Sequence, residues 1–378
     1  MRGLLHCRGR SNRNGGILMM RCLFSQMISG GASGVLRLVG SVPTRRLVLG
    51  VGLACFFAWG LAAQQSSSGV PASPWKQMVI PGSFDPKLTL PSVSNGYLIS
   101  FSRHNPKVHL HSLATGGSFV APFSLPGATN IVLQDAAVTA DGSILVVGTY
   151  SPKAGGASAN FVSVMDQGGR VQSTYDLGDY TPSRVCSAPD GTFWTLGQSW
   201  PSESARPRGD YRMLRNYTPG GALKQAYFSR SSAVSVPMDL RPAGRTFGQD
   251  VTPAFLACGT TSVGALVGNR GSQLWVEVSL QTGIAQQWSV TASPGRIAGL
   301  ALLSQNAVYA SVARPNDSRT KLVQYRLAFA NDGSAVWTQV PKNPANVSIG
   351  RLVGTDSAKL VVLHQTSDHQ PQLFWNQP

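Results

Sequence analysis

Histidine and arginine are the residues whose chemistry stands out in this chain. Beyond the first hundred residues there are five histidines: His104, His109, His111, His364 and His369. His109-Leu110-His111 has strand spacing, which puts both imidazoles on one side of a sheet where they could share a metal. In Lys107-Val108-His109-Leu110-His111 they alternate with apolar residues, as a solvent-facing pair on a half-buried strand does. No nearby Cys or carboxylate completes a ligand set, so no metal site is expected. His104 and His369 fall in polar, loop-like stretches and form the best acid–base pair on offer. The chain has no His-Glu-x-x-His, no phosphate-binding glycine loop, no Gly-x-Ser-x-Gly elbow and no Cys-x-x-Cys. Catalytic residues are therefore not assigned, and no cofactor is expected.

Positive charge offers a clearer signal. Arg103 and Lys107, Arg206 and Arg208, Arg270, and Arg314 and Arg319 lie in short polar stretches rich in Pro, Gly and Ser. Arg241 and Arg245 lie in a longer stretch of the same kind, SRSSAVSVPMDLRPAGRTFGQDV (229–251), which is too long for an ordinary connection and reads as a contact loop. With His104 and His369 these nine are the candidate ligand-binding residues. Arg184, Arg230, Arg296 and Arg351 add charge from segments between repeats. Arginine suits anion recognition because its planar fork meets carboxylate or phosphate with two donors at once.

The elements that would position these groups announce themselves as a repeat. A glycine turn followed by a strand rich in Gln, Thr and aromatics recurs at Thr115-Gly116-Gly117, Gln167-Gly168-Gly169, Pro219-Gly220-Gly221, Gln281-Thr282-Gly283 and Asn331-Asp332-Gly333. From Gly117 to Gly333 the steps are 52, 52, 62 and 50 residues. A second turn series, Asn95-Gly96, Asp141-Gly142 and Asp190-Gly191, supplies the positive φ of tight hairpins. Weaker copies stand at Ser262-Val263-Gly264, Ser304-Gln305-Asn306 and Asp356-Ser357-Ala358. No amphipathic helical period is visible, and 41 Gly with 24 Pro suit a turn-dense all-β chain.

Repeats of this length, each with several strands, resemble the β-propeller superfamily. The expectation is a six-bladed propeller of four-stranded antiparallel blades over residues 75–378. The last unit ends on PQLFWNQP with no chain left for a fourth strand, while Trp75–Pro81 matches the outer-strand pattern yet precedes the first unit. Residues 75–81 are thus expected to complete the last blade and close the ring. The resemblance further implies that ligands meet the end formed by second-to-third-strand loops and inter-blade loops, where the candidate bases gather. The turn acids Asp141, Asp166, Asp190, Asp332 and Asp356 belong to the other end. Neither the calcium-binding acids of gluconolactonase-like propellers nor the pattern of quinone-dependent sugar dehydrogenases maps onto this chain.

Composition before residue 64 is of another kind. The first 63 residues hold eight of the 32 Lys and Arg and no acid, so without them the formal charge falls from +16 to +8. Arg45-Arg46, the apolar run LVLGVGLACFFAWG and Leu61-Ala62-Ala63 are the parts of a secretory signal peptide. Residues 1–43 are read as a basic extension expected to be absent from the mature protein, 44–63 as the signal and 64–74 as a Ser/Pro linker. Left uncleaved, the signal would serve as a membrane anchor. Beyond it only Cys186 and Cys258 remain, two thiols that an oxidising compartment would allow to pair or that burial alone would explain.

These features point to an exported protein, periplasmic or extracellular and monomeric, acting as a binding or scaffold module. Its basic loop face would hold an anionic ligand or an envelope protein or glycan, and not nucleic acid, since no aromatics interleave with the bases. The alternative is a propeller enzyme, a lactonase or other hydrolase or a quinoprotein-like dehydrogenase, with its site at the tunnel mouth.

Overall fold

The computed structural model describes residues 76–80, 91–199, 212–229, 254–269, 272–291, 293–313, 322–340, 350–365 and 371–376. All lie in the unit Ser67–Pro378, one of two compact units into which the chain divides. The described residues are all-β, and no helix among them is long and apolar enough to cross a membrane.

Glycine turns reverse the chain at short intervals, so consecutive strands pair antiparallel as meanders. β2 (Ser92–Ser94), β3 (Tyr97–Ser102), β4 (Lys107–Ser112) and β5 (Ser118–Pro122) form the first sheet. β6 (Ala128–Val138), β7 (Ile144–Pro152), β8 (Ala159–Met165) and β9 (Val171–Asp176) form the second. β10 (Tyr180–Ser187), β11 (Phe193–Ser199), β12 (Arg212–Tyr217) and β13 (Leu223–Ser229) form the third. Next come β14 (Phe255–Cys258), β15 (Ser262–Asn269), β16 (Ser272–Ser279) and β17 (Ala285–Val290), then β18 (Arg296–Leu302), β19 (Val308–Ala313), β20 (Leu322–Phe329) and β21 (Ser334–Gln339). These two meanders share one eight-stranded sheet, because β17 and β21 pair in parallel over Ser289↔Ser334 and Val290↔Ala335. The last sheet holds β22 (Arg351–Asp356), β23 (Lys359–Gln365), β24 (Pro371–Asn376) and, on its outer edge, β1 (Lys76–Val79).

The arrangement is a propeller-like ring made of four four-stranded sheets and one eight-stranded sheet, where separate blades were expected throughout. The shared sheet arises because two outer strands approach closely enough to exchange backbone bonds, Ser289 N–H to Gly333 O at 2.9 Å and Thr291 N–H to Ala335 O at 2.9 Å. The innermost strands β2, β6, β10, β14, β18 and β22 contact one another in that order, and β22 returns to β2. β1 pairs antiparallel with β24 from Lys76↔Trp375 to Val79↔Gln372, and Ile80 N–H donates to Pro371 O at 2.9 Å. Both ends of the propeller thus lie in one sheet. One turn falls earlier than the sequence pattern placed it. Ser262-Val263-Gly264 lies inside β15, and the reversal occurs at Gly259-Thr260-Thr261, where Gly259 N–H donates to Ser262 O at 2.8 Å.

Alternating strand residues place the core between sheets rather than at the centre of the ring. Phe101, Phe123, Ala136 and Phe161 fill the seam between the first and second sheets, and Val147, Tyr180, Phe193 and Tyr217 the next. Trp275, Trp288, Val312 and Leu327 pack the two halves of the eight-stranded sheet face to face. Ile80, Leu98, Val353 and Trp375 seal the last seam against the first sheet. Polar stitches cross the same seams: Asn95 Nδ2 donates to Val138 O at 2.6 Å, and Leu352 N–H donates to Ser311 Oγ at 3.1 Å.

Candidate functional site

The innermost strands leave a central channel with a cavity of about 800 Å³, and every one of them contributes to its wall. Four of them carry a β-bulge at matching positions, between Leu133 and Asp135, Pro182 and Arg184, Ile297 and Gly299, and Leu352 and Gly354. A bulge adds a residue, sharpens the twist and re-aims the side chains around it. Counted from these bulges, Asp135 and Arg184 occupy equivalent positions, and Arg296 and Arg351 occupy another pair. In the second pair the chain repeats itself as Arg296-Ile297-Ala298-Gly299 and Arg351-Leu352-Val353-Gly354. The glycine is a packing requirement: a Cβ on Gly299 would lie 2.0 Å from Leu352 O.

These positions bring Asp135, Arg184 and Arg351 to the channel wall, which Asp356 also lines, while Arg296 is not part of the lining. Asp135 reaches across the seam from β6 to β10, where its Oδ2 accepts from Val185 N–H at 2.9 Å. The side chain is half-buried by area, but its carboxyl is set into the wall, and burial pushes it up to about 6 against the opposing pull of Arg184. Arg184 is buried, and its Nη1 donates to the backbone oxygen of Ser183 at 2.6 Å. Arg351 is the least satisfied polar group of the site: its Nε and Nη1 are buried with no hydrogen-bond partner among the described residues. Desolvation pushes its guanidinium down to about 10, with further repulsion from Arg296 and Arg184. Arg296 is exposed at the start of β18. In ring order β10 and β22 stand three strands apart in either direction. Arg184 and Arg351 therefore face the channel from opposite walls.

Arg184, Arg296 and Arg351 belong to innermost strands, not to the inter-blade loops to which their sequence context assigned them. Of the candidate binding residues, Arg103, His104 and Lys107 lie in or beside the β3–β4 turn, with His104 and Lys107 exposed. Arg103 is committed to the neighbouring sheet, donating from Nη2 to Gln134 Oε1 at 2.8 Å beside the first bulge. Arg206, Arg208, Arg241, Arg245, Arg270, Arg314, Arg319 and His369 lie outside the described residues. Asp135 had no distinguishing sequence context. Its site could have been found only through the paired Arg-x-x-Gly at 296–299 and 351–354, a signal 55 residues apart that matches the turn period.

The histidine pair is not the solvent-facing couple its spacing implied. His111 is buried, its Nδ1 lies 2.7 Å from Ser118 Oγ, and its Nε2 is enclosed without a partner among the described residues. Burial holds its imidazole below the usual value, while His109 remains half-buried. The sheet's second face is covered more fully than the alternation allowed for. Among the described residues no three His, Cys, Asp or Glu side chains converge as a metal site would require.

Four carboxylates at the opposite end of the ring are taken up locally, while Asp356 accepts from Trp375 Nε1 at 3.1 Å and lines the channel. Asp141 accepts from Thr139 Oγ1 and Ser143 N–H, Asp166 from Arg170 N–H at 2.9 Å, Asp190 from Thr192 N–H at 3.0 Å and Asp332 from Ser334 N–H at 2.9 Å. Such bonds hold Asp141 and Asp332 below the usual carboxylate range. Deeper in the channel wall, Cys186 of β10 and Cys258 of β14 form a disulfide with Cα atoms 5.8 Å apart.

The chain matches no protein-family model and no curated protein. Among solved structures it is similar to a luciferin-regenerating enzyme at 9% identity and TM-score 0.43, covering 80% of this chain and 96% of that one. It is also similar to a PQQ-bound aldose sugar dehydrogenase from Streptomyces coelicolor, at 13% identity and TM-score 0.42 over 80% and 98%. A streptogramin B lyase gives 11% identity and TM-score 0.35 over 80% and 98%. The propeller assignment rests on this chain's own strand order, and no reaction is carried over from these proteins.

Proposed function

We propose that the chain is an exported six-bladed propeller that serves as a binding module, holding an anionic ligand or an envelope protein or glycan at its basic end. The eight-stranded sheet counts here as two blades, since a two-residue parallel pairing joins its halves while their faces pack as neighbouring blades do. The observation that carries the function is the segregation of charge. Arginines line the channel from β10 and β22, whereas the turn acids Asp141, Asp166, Asp190 and Asp332 are bound to neighbouring backbone. A focused positive potential of this kind raises the local concentration of an anionic partner and is weakened by salt. Export is supported by the signal-like segment before residue 64 and by the Cys186–Cys258 bond, which suits an oxidising compartment.

The test is charge reversal of the loop face, Arg206→Glu with Arg208→Glu, in protein secreted by its own signal. Salt-sensitive retention of envelope components should fall in the variant. Unchanged retention would remove the basis for a basic docking face. A catalytic second reading, hydrolase or quinoprotein-like, is favoured by Asp135 alone, a carboxyl held near neutrality in a channel. Native mass spectrometry before and after denaturation separates the two, because a cofactor lost on denaturation would favour the enzyme.

A further inference from the structure

Where β17 and β21 part, the eight-stranded sheet leaves a cleft of about 470 Å³ between its two halves. The parallel bridge joins the walls of this cleft, with Ser289 N–H donating to Gly333 O at 2.9 Å. No other two outer strands pair with each other among the described residues, so a bridged cleft belongs to this seam alone. The β18–β19 turn forms part of the wall, and it is anchored: buried Glu277 accepts from Asn306 N–H at 3.1 Å and from Trp275 Nε1 at 2.8 Å. The β20–β21 turn is fixed as well, since Asp332 accepts from Ser334 N–H at 2.9 Å and from Ser334 Oγ at 2.6 Å. Walls set before a ligand arrives lower the ordering cost of binding.

Gln286, Gln287, Asn306 and Asn331 line the cleft around Trp288 and Phe329, whose ring centroids lie 4.7 Å apart. All four amides are exposed, and none hydrogen-bonds another described residue through its side chain. Trp288 is buried and Phe329 half-buried, so the two rings give the cleft an apolar floor. Gln286 stands two residues before Trp288 and shares its face of the strand. Among the described residues the lining carries no charged side chain, so an ionic ligand finds no counter-charge. A wholly apolar ligand would strip water from four amides and give no hydrogen bond in return. A pyranose answers both demands: its hydroxyls donate and accept as carboxamides do, and its C–H face packs on aromatic rings.

We propose that this cleft binds one or two residues of an uncharged glycan, with Gln286, Asn306 and Asn331 meeting its hydroxyls over the Trp288–Phe329 floor. Its volume is that of a small-ligand site, about 300–1,000 Å³. The two turns that frame it belong to the end of the ring that carries the turn acids. The site is therefore separate from the basic docking face and does not rest on it.

Saturation-transfer NMR on the full exported chain tests this, with maltotriose, cellotriose and the trimer of N-acetylglucosamine as probes. At least one trisaccharide should receive saturation on its ring protons, and raising the salt about tenfold should leave the signal unchanged, because no charge takes part. Gln286→Ala with Asn331→Ala should weaken that sugar by about tenfold or more, the scale of two lost hydrogen bonds. Both side chains are exposed and uncommitted, so this variant should keep the parent's melting temperature. Asn306 is left in place because its backbone φ of 60° disfavours most other side chains. Arg206→Glu with Arg208→Glu should leave sugar binding within about twofold. No transfer to any of the three sugars, or binding unchanged in the double alanine variant, would overturn the proposal. Binding weakened by salt or by the charge reversal would assign the sugar to the basic face and overturn it too. Sugar binding that persists while the charge reversal leaves envelope retention untouched would uphold this site and remove the docking face.

Discussion

Asp135 shows how one side chain can link a seam to the pH of the surroundings. Its carboxyl is pushed above the ordinary range to about 6, so the folded protein prefers it protonated more strongly than the unfolded chain does. The stability this contributes is complete below about pH 4 and is lost as pH rises through about 6. A shift of this size corresponds to at most about 3 kcal/mol, and water in the channel reduces it. Asp135→Asn keeps an acceptor for Val185 N–H while remaining neutral. Chemical denaturation should therefore find the variant about 1–2 kcal/mol more stable at pH 7 and unchanged at pH 4. A variant weaker than the parent at pH 7 would mean that the attraction of Arg184 outweighs burial. Residues of this kind were the least legible in the sequence. Asp135 sits in an apolar run, IVLQDAAV, and only the bulge beside it turns its carboxyl toward the next sheet. Arg184, Arg296 and Arg351 were visible as bases but read as loop residues, because a bulged strand opening on Arg or Pro looks like a connection.

At the scale of elements the pattern was far easier to read, for a physical reason. A tight reversal demands positive φ, and Gly or Asn supplies it, so Gly96, Gly142, Gly169, Gly191 and Gly221 mark reversals wherever they fall. The one misplaced reversal, before β15, follows from Gly264 having a different duty: it makes room for the Trp275 ring within the sheet. The pairing of β17 with β21 carries no turn signal and could not be read in advance, whereas that of β1 with β24 was legible in the outer-strand pattern of residues 75–81. The disulfide acts at this scale as well. It ties β10 to β14, two innermost strands between which the chain runs through β11, β12 and β13, and it encloses 72 residues of sequence separation. Cross-linking a loop of that length restricts the unfolded chain by about 4 kcal/mol. Replacing both cysteines by alanine should lower the unfolding free energy by roughly 2–4 kcal/mol, read from denaturant midpoints. A midpoint within experimental scatter of the parent would place the bond's effect elsewhere than in chain restriction.

The whole molecule depends on β1. It covers the edge of β24, and Ile80 beside it is buried with Trp375, Leu373 and Val353 in the seam to the first sheet. Deleting residues 75–81 would expose that edge and empty part of the seam. The loss should exceed the 2–5 kcal/mol of a single large core truncation and should bring aggregation, followed by light scattering on heating. Deleting residues 64–74 should leave the melting temperature within a few degrees. Equal effects from the two deletions would mean that closure does not stabilise the ring.

Ring closure through β1 also sets an order of events during synthesis. The strand made first among those described waits for β24, made last, before it has a partner. Pairing across almost the full length of the ring is slow, because the intervening chain must be ordered before the contact rewards it. A truncated product, however long, keeps an open strand edge and remains marked for capture by chaperones or proteases. Closure is thus open only to a chain that extends through β24.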